Sequence, residues 1–402
     1  MKKNKKKFSL KKLLLTAGGV LLALILIAGS AVCVLWGNEI RTVLSFKQIA
    51  ERNDEHLDGS VYEMTVAGDY YFDDFLAQGG ASTDGELIEF ITGNLTKGLI
   101  DIGITPPDVA CSSFTATLED GDRVFARNYD YSKTNTAIVY TNPGGDRHAS
   151  VSTIDLQFLG IDVDKDVTSL IDKITCLAAP YIPFDGMNDA GVSCGIYMTY
   201  QGPEESISTN QDSEKPDITS TTMLRLILDY ADSVDEAVEL VSNYDLHDSA
   251  TSSYHYMVAD STGKSAILEW VAGNDSTDIE GSARELKVTY NAAAPRCTDK
   301  TWQCVTNFVV APDYYDNNED MKGLDRYEHL HKTLTAAKGV MADETAAMDL
   351  LAQVGRRTWK NDDKNGCTVH SVVYNLTDQT ALWVPNEHFG EDEYKMELKI
   401  KK

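Results

Sequence analysis

Three side chains able to take part in acyl chemistry lie in one short stretch: the Cys111 thiol, the Arg127 guanidinium and the Asp130 carboxylate. They flank Asp120-Gly121, a strong turn signal, so Ser112–Leu118 and Arg123–Asn128 read as the two strands of a hairpin. With the turn centred on Asp120-Gly121, Asp130 falls opposite Cys111, where a carboxylate can hold a group attached to that cysteine. Arg127 then has the opposite parity and aims at the other face. A bulge near Asn128 is needed to bring both to one site. The spacing also fits Cys111 as a small strand residue and Arg127 as a surface cation.

The elements that must position these groups alternate between hairpins and helices. Tyr254–Ala259 with Ser265–Trp270, and His370–Leu376 with Thr380–Pro385, repeat the hairpin pattern around short polar turns. Helical periodicity marks Thr219–Tyr230, Val234–Tyr244, Asp325–Ala337 and Glu344–Val354, with Ser233 and Glu236 forming a capping box. A second capping box, Thr83-Asp84-Gly85-Glu86, opens a helix with Leu87, Ile88, Ile91 and Leu95 on one face. Thr105-Pro106-Pro107-Asp108 is then a stiff extended break. Gln201–Asp217 reads as an acidic surface loop. Antiparallel hairpins among runs of helices argue for an α+β layered fold and against alternating βαβ units.

The chain has 402 residues, 62 acidic against 36 basic, for a formal charge of −26. Every charged residue in 1–12 is a lysine, so the rest is more acidic still. Such a body repels phosphate backbones and excludes nucleic acid as its main partner. A 43% hydrophobic content with five Trp and nineteen Tyr supports a real core, and seven Cys are too few for a disulfide framework. Leu13–Trp36 carries no charge and as a helix reaches roughly 36 Å, which predicts a membrane anchor. With the lysines before it and Glu39 after it, the expected location is the cell membrane, single-pass, N-terminus cytoplasmic and residues 37–402 outside. A cleaved signal peptide ending near Ala28-Gly29-Ser30 is the alternative.

Other motifs carry less. Gly191-Val-Ser193-Cys-Gly195 matches the G-x-S-x-G nucleophile elbow, but Ile196-Tyr197-Met198 after it reads as a strand where the elbow needs a helix. Gly263-Lys264-Ser265 ends like a P-loop, yet Val258 holds the earlier glycine position. His329 and His331 lack further metal-ligand spacing and read as polar helix residues. Cys297 and Cys304 are a disulfide or two buried thiols.

Cys111 followed by Phe-x-Ala, a glycine turn and Arg127-Asn-x-Asp130 resembles the choloylglycine hydrolase and penicillin V acylase family of linear amide C–N hydrolases, within the N-terminal-nucleophile hydrolases. The resemblance continues at Asp185-Gly-Met-Asn-Asp-Ala-Gly191, at Ala259-Asp260 with Gly263-Lys-Ser and Glu269, and at Thr306-Asn307, and covers roughly Cys111 to Val384. It implies a four-layer αββα sandwich of antiparallel sheets. It also implies that Cys111, once N-terminal, is the nucleophile, with its own freed α-amine as proton shuttle. Asp130 then orients the amine, Arg127 lowers the thiol pKa, and Asn307 donates to the oxyanion. Arg326 matches a further family arginine. The family places an Asn or Tyr after the Gly191 strand, whereas this chain has Ile196-Tyr197-Met198, so Tyr197 is either an oxyanion and substrate residue or a core aromatic.

Cys111 lies far inside the chain, so this chemistry requires cleavage of Ala110–Cys111, expected as autoproteolysis. That resembles the acid ceramidase and N-acylethanolamine amidase branch, which keeps the upstream piece as a small subunit. The expected organisation is a basic tail over 1–12, an anchor over 13–36, a stalk over 37–68, a helical pro-segment or small subunit over 69–110, and a catalytic domain over 111–402. The implied substrates are small N-acyl amides: conjugated bile salts, penicillin V or fatty N-acyl amides. No metal or organic cofactor is expected, and the sequence leaves the oligomeric state open. An acyltransferase on the same fold and a non-catalytic surface binding module are the alternatives.

Overall fold

The computed structural model describes residues 10–98, 110–200, 207–272, 283–292, 300–312, 314–315, 321–359 and 366–401. The lysines at 2–7, the Pro106-Pro107 break, the start of the acidic loop at 201–206 and Cys297 lie outside the described residues. The helices are α1 (Leu10–Leu35), α2 (Gly37–Ser45), α3 (Phe72–Ala77), α4 (Asp84–Leu95), α5 (Leu170–Thr175), α6 (Ser220–Tyr230), α7 (Val234–Ser242), α8 (Leu324–Ala337) and α9 (Glu344–Gln353). Strands before residue 200 are β1 (Lys47–Ala50), β2 (Val61–Thr65), β3 (Ala110–Leu118), β4 (Arg123–Ser132), β5 (Thr136–Thr141), β6 (Ser150–Asp155), β7 (Asp185–Asn188) and β8 (Ser193–Met198). Then follow β9 (Asp217–Thr219), β10 (Asp245–His247), β11 (Tyr254–Ala259), β12 (Ser265–Ala272), β13 (Arg284–Tyr290), β14 (Cys304–Val305), β15 (Val340–Met341), β16 (Gly366–Asn375), β17 (Thr380–Pro385) and β18 (Met396–Lys399).

Two sheets carry the fold. One runs β1-β2-β5-β6-β7-β8-β11-β12-β13, antiparallel except for β2 against β5. The other runs β14-β3-β4-β16-β17-β18, with β15 parallel to β3. They face one another: Tyr129 on β4 donates to Asp155 on β6, and the Trp383 indole on β17 donates to Thr153. Helix α6 covers the outer face of the first sheet, where buried Arg225 donates to Thr141 and Ser150. Helices α8 and α9 cover the outer face of the second, where Asn128 on β4 donates to the Leu351 carbonyl. The result is a mixed α+β sandwich, as the alternation of hairpins and helices implies.

Local sequence explains much of this. Thr83 caps α4 by accepting from the Glu86 amide, and Ser233 caps α7 by accepting from the Glu236 amide. Leu87, Phe90, Ile91 and Leu95 bury one face of α4. Phe75 packs edge-on between them and the body, 5.3 Å from Phe90 and 6.0 Å from Tyr181. Each such buried aromatic contributes about 1.5–3 kcal/mol relative to exposure.

Three expectations need correction. Among the described residues, no helix is long and apolar enough to cross a membrane. The anchor over 13–36, and with it the single-pass membrane localisation, does not stand. Next, residues 37–68 are no stalk: they hold α2, β1 and β2, and β2 pairs with β5 inside the larger sheet. Last, the β3–β4 register is shifted by one residue. The loop spans Glu119–Gly121, closed by the Leu118 amide on the Asp122 carbonyl, with Gly121 at φ 103°. A three-residue loop ending in a left-handed glycine replaces the expected two-residue turn. Tyr129, not Asp130, therefore lies opposite Cys111, and Asp130 lies opposite Ala110.

Candidate active site

The shifted register decides which groups meet. Since a one-residue slip reverses every side chain, Cys111, Tyr129 and Arg127 share the face turned to the other sheet. Asp130 takes the opposite face, toward α8. No bulge near Asn128 is required; the irregularity falls on β16, between Thr368 and His370, and sets Thr368 opposite Asp130.

On the inner face, Arg127 Nη2 lies 3.5 Å from Cys111 Sγ and donates to the Ile196 carbonyl at 2.7 Å. Its Nε is 3.2 Å from Asp185 Oδ2, and its plane sits 4.6 Å above the Tyr197 ring. Asp185 is held in turn by His370 Nε2 at 2.8 Å and the Tyr374 hydroxyl at 2.7 Å. Burial raises the Asp185 pKa, but His370 and Arg127 outweigh it and hold the carboxyl below its usual range. Burial opposes charge on Arg127 as well, yet the guanidinium stays protonated, with the Asp185 carboxylate as its charged neighbour. Cys111 is fully buried, and its thiol is pushed up to about 11 by burial, against the lowering effect of Arg127. With Ala110–Cys111 intact, this sulfur is a neutral thiol at pH 7.

A second network surrounds the Cys111 nitrogen. The Cys111 amide donates to Asn307 Oδ1 at 3.3 Å, and Arg326 Nη2 donates to the same oxygen at 2.8 Å. Because arginine is only a donor, this fixes the Asn307 amide orientation and leaves Nδ2 donating to the Met198 carbonyl at 2.7 Å. Arg326 Nη1 meets Asp130 Oδ2 at 2.6 Å, and Thr368 Oγ1 donates to Asp130 Oδ1 at 2.6 Å. Burial raises the Asp130 pKa despite Arg326 and Thr368. Asp130 thus reaches the Cys111 nitrogen through Arg326 and Asn307.

Five of the residues singled out in the sequence are brought together: Cys111, Arg127, Asp130, Asn307 and Arg326 form one connected cluster around the Ala110–Cys111 bond. Tyr197 lies under the Arg127 guanidinium and donates to Ser113 Oγ at 2.5 Å, so its hydroxyl proton is already committed. Four participants went unassigned. Asp185 is the ion-pair partner of Arg127, and Thr368 and Glu387 form the scaffold of Asp130, with Glu387 accepting from the Thr368 amide at 2.7 Å. Gly195, the last glycine of the rejected elbow, faces the guanidinium: a Cβ there would lie 2.2 Å from Arg127 Nη1. A carboxylate directly after the apolar run 177–184, as at Asp185, was the readable signal.

Residues 111–277 match the family described as linear amide C–N hydrolases, choloylglycine hydrolase family, and the match begins at Cys111. The class of the protein follows from that match: a hydrolase of carbon–nitrogen bonds in linear amides. The fold is similar to that of a mutant conjugated bile acid hydrolase from Clostridium perfringens, at 16% identity and TM-score 0.47, covering 72% of this chain and 92% of that one. Penicillin V acylase from Agrobacterium tumefaciens is similar at 17% identity and TM-score 0.44, covering 68% and 83%. An N-acylethanolamine-hydrolyzing acid amidase ortholog of Caenorhabditis elegans is similar at 15% identity and TM-score 0.38, covering 66% and 93%. No curated relative matches the sequence.

Proposed function

We propose that the protein is a cysteine amidohydrolase that cleaves small N-acyl amides through a Cys111 thioester, after the Ala110–Cys111 bond is cut. The observation that carries this reading is the position of Arg127 Nη2, 3.5 Å from Cys111 Sγ, beside an Asn307–Arg326–Asp130 network on the Cys111 nitrogen. A strand residue without a reaction to perform needs neither a buried guanidinium nor a second buried arginine at its amide.

Processing comes first. Cys111 Sγ attacks the Ala110 carbonyl carbon, the sulfur proton passes to the leaving nitrogen, and the peptide becomes a thioester. Water then releases Ala110 as a carboxylate and frees the thiol and α-amine of Cys111. Loss of the Ala110 carbonyl opens space beside the sulfur, and burial, the main cause of the raised thiol pKa, falls away. The Arg127 charge then favours the thiolate.

In turnover the thiolate attacks the amide carbonyl of substrate, and the α-ammonium of Cys111 protonates the departing amine. Asn307 turns its Nδ2 from the Met198 carbonyl to the developing oxyanion. Asp130, through Arg326, keeps Asn307 and the amine in place. Water, deprotonated by the α-amine, hydrolyses the thioester. Conjugated bile salts, penicillin V and fatty N-acyl amides are the substrates to try, because the matched family acts on linear amides.

Mass spectrometry of the purified protein tests the reading. A new N-terminus at Cys111 is expected, absent in Cys111→Ala along with all amide hydrolysis. A full-length chain that turns over substrate while Ala110–Cys111 remains intact overturns it.

A further inference from the structure

Away from Cys111, one cluster of side chains has the composition of a metal site. His56 and Asp58 lie in the β1–β2 connection, and His388 follows β17; their ligand atoms all lie within 4.8 Å of one another. Asp58 bridges the two rings, whose centroids lie 4.4 Å apart, with Oδ1 2.6 Å from His56 Nδ1 and Oδ2 2.8 Å from His388 Nε2. Glu391 Oε1 takes the other nitrogen of His388, Nδ1, at 2.6 Å.

We propose that His56, Asp58 and His388 bind a divalent transition-metal cation, zinc in the first instance, which clasps the upstream segment to the end of the catalytic body. Two imidazoles and one carboxylate are the donor set that zinc and its neighbours take in mixed nitrogen–oxygen sites. The Glu391 contact is the carboxylate–histidine arrangement that fixes a ligand ring, with Nδ1 on Glu391 and Nε2 facing Asp58. A carboxylate can only accept, so a proton or a cation must sit between Asp58 and Nε2. At zinc, tetrahedral ligand atoms stand about 3.3 Å apart, so the two Asp58 contacts need open by only roughly 0.6 Å.

The surroundings are built for a fixed geometry. Asn53 closes the first loop, exchanging backbone bonds with Asp58 and accepting from the Glu55 and His56 amides. Tyr394 stacks on the His388 ring with centroids 3.8 Å apart. Asp58 and His388 are buried, whereas the His56 side chain is 41% exposed and offers the entry path. One cation competes: Arg357 Nη1 lies 3.1 Å from His56 Nδ1 and 3.9 Å from Asp58 Oδ1. Metal binding and the Arg357–Asp58 pair are therefore alternatives, and removing Arg357 must strengthen the metal.

This inference does not depend on the reaction at Cys111. The test uses the full chain, stripped with chelator and titrated with zinc chloride by calorimetry, and with cobalt chloride by visible absorption. One equivalent of zinc, a tetrahedral cobalt spectrum, and a rise in Tm of several degrees at about 100-fold excess over Kd are expected. Arg357→Gln binds more tightly, and His56→Ala, which alters an exposed ring, loses the cobalt spectrum while keeping its fold by circular dichroism. Should neither the native chain nor Arg357→Gln bind zinc, protons and Arg357 alone hold the cluster, and the proposal fails. Binding that persists unchanged in His56→Ala overturns it as well.

Discussion

Arg127 approaches Cys111 to 3.5 Å between Nη2 and Sγ, from two positions along the partner strand and on the same face of the hairpin. Its charge is maintained from behind by Asp185 at 3.2 Å. Replacing Arg127 by Leu leaves Asp185 without its cation, which costs about 3–5 kcal/mol of stability. It also removes the charge that counters burial of the sulfur, so the thiolate fraction falls roughly tenfold for each pKa unit regained. The double variant Arg127→Leu, Asp185→Leu should recover much of the Tm but none of kcat/KM. If activity returned with stability, the guanidinium would be structural only.

Gly195, on β8 of the first sheet, is where that sheet leaves room for the guanidinium. In Gly195→Ala the new methyl would stand 2.2 Å from Arg127 Nη1 and 2.9 Å from the Tyr197 hydroxyl. Overpacking of this kind costs about 1–3 kcal/mol, and here it displaces the guanidinium beside Cys111. Turnover should fall by far more than the shift in Tm accounts for. Wild-type kinetics in Gly195→Ala would contradict the placement of Arg127.

Asn307 bonds at once to the Cys111 amide, to Arg326 and to the Met198 carbonyl. Asn307→Ala should lower kcat by about 10²–10³ with little change in KM, the signature of a donor used mainly in the transition state. It should also slow the cut at Ala110–Cys111, seen as an accumulating full-length band. An effect confined to KM would move Asn307 from oxyanion to substrate binding.

Asp155 lies on β6 beneath Tyr129, accepting from its hydroxyl at 3.0 Å and from Thr134 at 2.5 Å. Burial raises its pKa to about 6 from 3.8. The folded state therefore binds the proton more tightly than the unfolded chain. That stability is fully present below about pH 4 and is lost as pH rises through about 6. The contribution is on the order of 3 kcal/mol. Melting curves of wild type and Asp155→Asn should diverge across that window, the wild type losing the advantage as pH rises. Parallel curves between pH 4 and 7 would rule this out.

The sequence by itself determined what depends on local pattern. The hairpins at Asp120-Gly121, Ser261–Gly263 and Thr377–Gln379 and the caps at Thr83 and Ser233 formed where turn chemistry and periodicity put them. The candidates Cys111, Arg127, Asp130, Asn307 and Arg326, which the structure brings into one cluster, were nameable as well, because a resemblance of motifs carries residue types. Tertiary structure decided the rest. Whether Glu119 belongs to the strand or to the loop changes the register by one residue, and that alone exchanged the faces of Arg127 and Asp130. The partners of the site came from segments far along the chain, Asp185, Gly195, Thr368 and Glu387, whose contacts exist only once two sheets are stacked. Residues 37–68 look like a polar connector when read in order. They become sheet because β5 offers β2 an unpaired edge, and a backbone partner distant in sequence leaves no trace in local composition.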